Sequence, residues 1–135
     1  YGLYSEKAIN KGIFFMTKYL FLEYPKCSTC QKARQWLEQH QIEFTARHIV
    51  ENAPSAEELK TWQKRSGLPF KRFVNTSGLL YKSMNLKEKL PTLSEDERFA
   101  QLAANGMLVK RPLLVGENFV LTGFKADEWE KELIG

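Results

Sequence analysis

The sequence predicts an α/β fold in which a mixed four-stranded sheet is flanked by helices. Residues 18–50 show a strand–helix–strand pattern, and residues 111–133 show a strand–strand–helix pattern. Between them, residues 68–105 carry turn residues and helix-capping signals, so we expect a helical insert between the two halves. Strands and helices mixed in this order predict a sheet that is covered by helices.

The opening pattern is defined by changes in hydrophobic period. Lys18 to Tyr24 is rich in aromatic and apolar residues, which is typical of a buried strand. From Ser28 to His40 the apolar residues recur at helical spacing, and from Ile42 to Val50 they alternate with polar residues, as in a strand. Such a strand–helix–strand unit joins parallel strands.

A capping signal predicts the next helix. Ser55 with Glu58 forms a capping box directly after Pro54, and the helix is expected to end near Ser66-Gly67. The insert then begins with short helical pieces joined by turns.

Two further capping boxes follow in succession, Thr92 with Glu95 and Ser94 with Glu97. The helix that they open is expected to stop at Asn105-Gly106, a common C-terminal pair.

The final pattern predicts a hairpin and a helix. Arg111 to Val115 is a short strand, Phe119 to Leu121 returns antiparallel after a turn, and Ala126 to Leu133 forms the last helix. The complete order is β-α-β, a helical insert, then β-β-α. This is the element order of the thioredoxin-like (glutaredoxin-like) fold.

Length and composition indicate one ordinary globular domain. The chain has 135 residues, of which 43% are hydrophobic and 27% charged. We expect the domain to span residues 16–135, with residues 1–15 as an upstream extension; an extra edge element is the alternative. No apolar stretch approaches the roughly 20 residues that a membrane helix needs, and two cysteines are too few for a secreted disulfide scaffold. These features predict a cytoplasmic protein.

The charge is mild and unevenly spread. The formal net charge is +4, and residues 1–75 carry a net +5. A basic half can attract small anions or an acidic partner surface. The chain has no dense run of lysine and arginine and no stacking-aromatic motif, so we expect no direct binding of nucleic acid.

The cysteine pair is the main candidate for chemistry. Cys27 follows a strand and a proline at the predicted first turn of a helix, where free N–H groups and the helix dipole favour a thiolate. Lys26 and Arg34 add positive charge close by in sequence. We therefore predict that Cys27 attacks and that Cys30, one turn further on, resolves.

Other interpretations of the pair stay open at this point: two buried structural cysteines, half of a zinc site, or a pair without a redox role. Zinc would need further ligands, and the chain has no second CxxC and only two histidines, His40 and His48. We expect both histidines to be structural or exposed, and no metal site is predicted.

Arg111 and Pro112 are the second candidate feature. In the predicted element order, Pro112 begins the strand that lies beside the cysteine loop, where it could present backbone to an incoming thiol. Arg111 is a candidate partner for an anion or a thiolate, because a guanidinium donates in a rigid fork. An ordinary strand-opening proline and a solvated arginine are the alternatives.

Several motifs carry a family resemblance. The segment Tyr24–Ala33, which includes Ser28 and Thr29, resembles the opening motif of the arsenate reductase (ArsC)-like and Spx/MgsR family. Three later segments resemble further motifs of that family: Phe73–Gly78 with Tyr81, Asn105–Leu113, and Gly123-Phe124.

The resemblance implies a thioredoxin-like fold, Cys27 as the reactive thiol, and Arg111 beside a cis Pro112. Arsenate reductases of this type surround their anion with several arginines, but here Asn75 and Gly123 stand where two of these are expected. The resemblance therefore favours thiol–disulfide chemistry over arsenate reduction.

The predicted function is a thiol–disulfide oxidoreductase similar to arsenate reductases, with Cys27, Cys30 and Arg111 as the reacting group. Lys26, Ser28, Thr29, Arg34, Asn75 and Pro112 are predicted to surround the substrate or the thiolate. The resemblance implies no bound cofactor, glutathione as a candidate cosubstrate, and glutaredoxin, thioredoxin or glutathione as reductant. The alternative is a redox-sensing transcriptional regulator that binds the C-terminal domain of the RNA polymerase α subunit.

Overall fold

A four-stranded mixed sheet forms the centre of the molecule. The computed structural model describes residues 19–135, so the predicted extension at residues 1–15 lies outside the described residues. The strands are β1 (Leu20–Glu23), β2 (Thr45–His48), β3 (Leu113–Val115) and β4 (Val120–Thr122). Their order in the sheet is β2-β1-β3-β4.

The strand pairings confirm the predicted topology. Strands β1 and β2 are parallel, with Leu20 opposite Thr45, whereas β3 runs antiparallel to both β1 and β4. Strand β2 is shorter than the predicted Ile42–Val50, because β1 offers only four residues for pairing. Ile42 and Phe44 lie outside the strand, yet they still pack against the core.

Helices cover both faces of the sheet. They are α1 (Ser28–Gln39), α2 (Ala56–Ser66), α3 (Leu79–Ser83), α4 (Leu86–Lys89), α5 (Glu95–Ala103) and α6 (Ala126–Leu133). Side chains alternate along a strand, so neighbouring residues serve different cores. Phe21 of β1 packs with Leu37 of α1 and Trp129 of α6, whereas Leu22 faces a second core that contains α2 and the insert. None of the helices within residues 19–135 has the length and apolar character of a membrane span.

The predicted insert is a chain of short helices on the second face. It consists of α3, α4 and α5 with single 3₁₀ turns at Phe70–Phe73, Leu90–Thr92 and Gly106–Leu108. A bridge between Val74 and Val109 fastens the insert to the segment before β3. This bridge places residues 72–77 beside residues 110–111.

The connection from β2 to α2 is held by a carboxylate with two roles. Glu58 closes the predicted capping box with Ser55, whose hydroxyl accepts a hydrogen bond from the Glu58 N–H at 3.0 Å. The same carboxylate accepts two hydrogen bonds from Arg47, at 2.7 and 2.9 Å. Hydrogen bonding to Arg47 holds the Glu58 pKa below its usual value. As predicted, the helix ends at Ser66, and Gly67 caps it in the left-handed conformation.

Only one of the two predicted capping boxes ahead of α5 forms. Ser94 caps the helix, and the Glu97 carboxylate accepts a hydrogen bond from the Ser94 N–H at 2.9 Å. The prediction for Thr92 and Glu95 is wrong. Thr92 ends a 3₁₀ turn, and its hydroxyl donates instead to the Lys89 carbonyl at 2.6 Å.

Contrary to the prediction, Asn105-Gly106 does not cap α5. The helix ends at Ala103, and Asn105 opens the following 3₁₀ turn by accepting from the Met107 N–H at 2.9 Å. Gly106 lies against the carbonyl of Ile49, where an added Cβ would approach the oxygen to 1.9 Å. The glycine therefore serves close packing of the turn on the strand end.

The two candidate caps predict different stability losses. Ser94→Ala removes the hydroxyl that accepts from Glu97, and we expect the free energy of unfolding to fall by about 1 kcal/mol. Thr92→Ala removes one exposed hydrogen bond, and we expect a loss below about 0.5 kcal/mol. Urea unfolding of both variants measures the difference. Equal losses would mean that Ser94 is not the cap of α5.

Candidate functional site

Cys27 lies at the N-terminus of α1, as predicted. It is the N-cap residue, with extended backbone at φ −82° and ψ 123°. Its N–H donates to the Tyr24 carbonyl at 2.9 Å, so a tight turn carries the chain from β1 into the helix. The Cys27 sulfur is partly exposed beside the unpaired N–H groups of the first helical turn.

The surroundings of Cys27 favour its thiolate. Burial opposes ionisation, but interactions with the N–H and thiol of Cys30 and with the Thr29 N–H outweigh it, helped by the charge of Arg111. Together they hold the Cys27 pKa below its ordinary value. No acidic residue lies in the first turn of α1 to oppose this effect.

Cys30 has the opposite character. It is fully buried, and its sulfur accepts a hydrogen bond from the Tyr24 N–H at 3.5 Å. Burial raises the pKa of the Cys30 thiol to about 12, and the neighbouring Cys27 thiolate adds to the rise. The two sulfurs therefore differ in both access and charge, although only two residues separate them.

A cleft of about 420 Å³ opens beside Cys27. Its lining includes four of the residues that the sequence analysis proposed for the site: Cys27, Thr29, Asn75 and Arg111. The cleft also contains three cationic side chains that sequence reasoning missed: Arg72, Lys110 and Lys125. No carboxylate is among the described residues that line it, so the cleft attracts anions.

Arg111 is held at the back of this cleft. Its Nη1 donates to the Met107 carbonyl at 3.2 Å, and its guanidinium carbon lies 5.3 Å from the centre of the Tyr24 ring. The amide of Asn75 donates to the same carbonyl, also at 3.2 Å. The Nε of Arg111 is buried and has no hydrogen-bond partner among residues 19–135.

Pro112 is next to the cleft but does not line it. The Arg111–Pro112 peptide bond is cis, in agreement with the expectation drawn from the resemblance. Pro112 is buried, and its carbonyl accepts from the Gly123 N–H at 2.8 Å. It precedes β3, which pairs with the strand leading to Cys27.

Besides Pro112 and the buried Cys30, three more of the predicted residues do not line the cleft. Arg34 is wrongly placed by the sequence argument, because its guanidinium forms an ion pair with the buried Glu23 and stacks on Phe44. Lys26 and Ser28 are exposed, and neither lines the cleft. Proximity in sequence misled the prediction, because residues close to Cys27 along the chain do not all face the cleft.

The backbone conformation and the close packing at position 123 explain why a glycine occupies it. Its φ of +71° favours glycine, and an added Cβ would lie 3.1 Å from the Cε of Lys110. The lysine stem therefore passes over the glycine. Lys110 therefore supplies a cation next to the position where the resemblance implied an arginine.

The histidines behave as expected. His48 accepts from the N–H of Glu51 at 3.0 Å, and the ring of His40 lies against Trp36. Within residues 19–135, no three histidine, cysteine or acidic side chains converge in a way that could hold a metal ion.

Comparisons with known proteins agree with this fold. The chain is 52% identical to the uncharacterized protein YusI of Bacillus subtilis, over 82% of this chain and 94% of that protein. It is 31% identical to the regulatory protein MgsR of the same organism, over 80% of this chain and 84% of that protein. An ArsC family related protein from Bacteroides fragilis has a similar structure, with 60% identity, a TM-score of 0.81, and coverage of 84% and 96% of the two chains.

The family model agrees in extent with the described fold. It is the model of the ArsC family, and it matches residues 22–132, from β1 to the last turn of α6. The match includes the cysteine pair, the insert and the Arg111–Pro112 bond. The chain therefore belongs to the ArsC family.

Proposed function

We propose that this protein is a thiol–disulfide oxidoreductase in which Cys27 is the nucleophile and Cys30 the resolving thiol. The observation that carries the proposal is the contrast between the two sulfurs. Cys27 is accessible, with its pKa lowered at a helix N-terminus, whereas Cys30 is buried, with its pKa raised to about 12. Redox pairs need this division between an attacking and a resolving thiol.

The proposed reaction begins at Cys27. Its thiolate attacks one sulfur of a substrate disulfide, the substrate S–S bond breaks, and the leaving thiolate takes a proton from water. Cys27 is then joined to the other half of the substrate in a mixed disulfide.

Cys30 completes the reaction. Once Cys27 is in the mixed disulfide, its negative charge no longer raises the Cys30 pKa. Cys30 loses its proton and attacks the Cys27 sulfur, and the second substrate thiol leaves. The substrate gains two electrons, the protein gains a Cys27–Cys30 disulfide, and an external thiol such as glutathione restores the dithiol.

The charge of the cleft supports an anionic substrate. The cations Arg72, Lys110, Arg111 and Lys125 line the cleft that contains Cys27. Glutathione disulfide, which carries several carboxylates, fits this charge. The expected shortage of cations therefore no longer argues against arsenate. The remaining argument against arsenate as the substrate is that a lysine supplies a point charge, whereas the fork of a guanidinium is what holds an oxyanion.

Turnover tests the proposal directly. We expect glutathione disulfide to be reduced with an external reductant, and Cys27→Ser to lower the rate to that without protein. Lys110→Ala should raise KM about fivefold, because it removes one charge near the substrate. Lys131→Ala, at an exposed site on α6, is the matched control and should leave KM unchanged. Arsenate is assayed in parallel, and turnover that survives in Cys27→Ser would contradict the proposal.

The two thiol pKa values predict a separate pH response. As pH rises, iodoacetamide should modify Cys27 at a pH below that of an ordinary thiol, because only the thiolate reacts and its pKa is lowered. Cys30, with a pKa of about 12, should stay unmodified through that range. Peptide mass spectrometry after timed quenching measures both. In urea the two cysteines should react alike, and equal reactivity in the folded protein would remove the basis of their assigned roles.

A regulatory function is the second candidate. It is favoured by the relative MgsR, which is named a regulatory protein. In that case the protein should bind the C-terminal domain of the RNA polymerase α subunit, and oxidation of the cysteine pair should change the affinity. A binding assay with dithiol and disulfide forms measures this. Clear binding without turnover would favour the regulator, and turnover without binding would favour the enzyme.

A further inference from the structure

A second cavity beside the helical insert does not include the cysteines. It has a volume of about 440 Å³ and lies between α3, α4 and the 3₁₀ turns Phe70–Phe73 and Leu90–Thr92; we call it the insert groove. Its walls are mainly apolar, formed by Phe70, Val74, Tyr81, Leu86 and Leu90. A concave apolar site of this size accommodates one or two apolar side chains of a partner.

The rim of the insert groove is positively charged. Lys71 and Lys87 line it and are exposed, and neither forms an ion pair within residues 19–135. Arg98 lies deeper, where its Nε donates to the Leu90 carbonyl at 3.1 Å. No acidic residue is among the described residues lining the groove.

This local charge accounts for the charge of the whole chain. Residues 68–93 contain five lysines and arginines but a single acidic residue, Glu88, which is a net +4. The remainder of the chain is balanced. The excess positive charge of residues 68–93 includes Lys71 and Lys87 at the groove and Arg72 in the Cys27 cleft.

Exposed apolar side chains lie on the same segment. Leu79 of α3 is 86% exposed, and Met84 at the end of that helix is 36% exposed. Of the large apolar side chains exposed within residues 19–135, only Ile134 lies elsewhere. Neither of these two side chains lines the groove, but both lie within three residues of Tyr81, which does.

We propose that the insert groove binds an acidic segment of a partner protein, with an apolar side chain in the cavity and carboxylates on Lys71 and Lys87. The concave apolar walls favour an inserted side chain over a flat lipid surface, and the cationic rim selects acidic flanks. Together, the apolar walls and the cationic rim favour a protein segment of this composition as the occupant of the groove. The proposal does not depend on the chemistry of Cys27.

The groove and the Cys27 cleft share one wall. Along a single stretch of chain, Arg72, Asn75 and Ser77 line the cleft, whereas Lys71, Val74 and Thr76 line the groove. A protein segment seated in the groove is therefore separated from the Cys27 cleft by the width of one chain segment. Docking at this place brings the rest of the partner close to the thiol.

A random peptide library tests the groove. Dodecapeptides are selected on the full chain carrying Cys27→Ser, which prevents covalent capture. We expect enrichment of aspartate and glutamate around a leucine or phenylalanine, and amide chemical shift changes centred on the groove. The variant Lys71→Glu with Lys87→Glu should bind the selected peptides about tenfold more weakly, because two attractive charges become repulsive. Higher salt should weaken the binding.

The control carries the same change of charge elsewhere. Lys64→Glu with Lys131→Glu reverses two exposed lysines outside the groove and should leave the affinity unchanged. A library that yields no acidic peptides, or equal binding to both double variants, would overturn the proposal. Binding of an oligonucleotide or of phosphatidylglycerol vesicles that requires Lys71 and Lys87, without peptide binding, would overturn it as well.

Discussion

Two backbone hydrogen bonds decide where the reactive groups meet. The Asn75 N–H donates to the Leu108 carbonyl at 2.8 Å, and the Lys110 N–H donates to the Phe73 carbonyl at 2.9 Å. They flank the Val74–Val109 bridge and fasten the helical insert to the chain that enters β3. This contact holds Arg72, Asn75 and Ser77 of the insert in the wall of the Cys27 cleft. The same contact separates the cleft from the insert groove.

The difference between the cysteines follows from helix geometry. Cys27 occupies the N-cap, where it meets free N–H groups and solvent, and Cys30 lies one turn later on the face that packs inward. Burial of a thiol costs little, whereas burial of a thiolate is unfavourable, so the same turn of helix lowers one pKa and raises the other. The proposed direction of attack depends on this asymmetry and not on the residue types alone.

The accuracy of each sequence prediction depended on how far apart the interacting residues lie along the chain. Ser55 with Glu58 was predicted correctly, because a capping box joins residues three apart. The same logic failed for Thr92, since a preceding 3₁₀ turn offered its hydroxyl the carbonyl of Lys89. Arg34 was placed near Cys27 because it is close in sequence, but Glu23 of the neighbouring strand holds it elsewhere. A local sequence pattern identifies interaction partners that are close along the chain. A competing partner from a distant segment can be identified only from the folded structure.

The sequence by itself determined the element order, the cysteine pair at a helix start, and the family. Hydrophobic period, capping residues and motif spacing are local properties of the sequence, so these features can be predicted without knowing which distant residues are in contact. Only the tertiary structure decided the composition of the cleft. Arg72, Lys110 and Lys125 are separated in sequence. The Val74–Val109 bridge brings Arg72 to the cleft, and the pairing of β3 with β4 brings Lys125 close to Lys110. The positive charge beside Cys27 that could not be predicted from the sequence is therefore supplied by residues that only folding brings there.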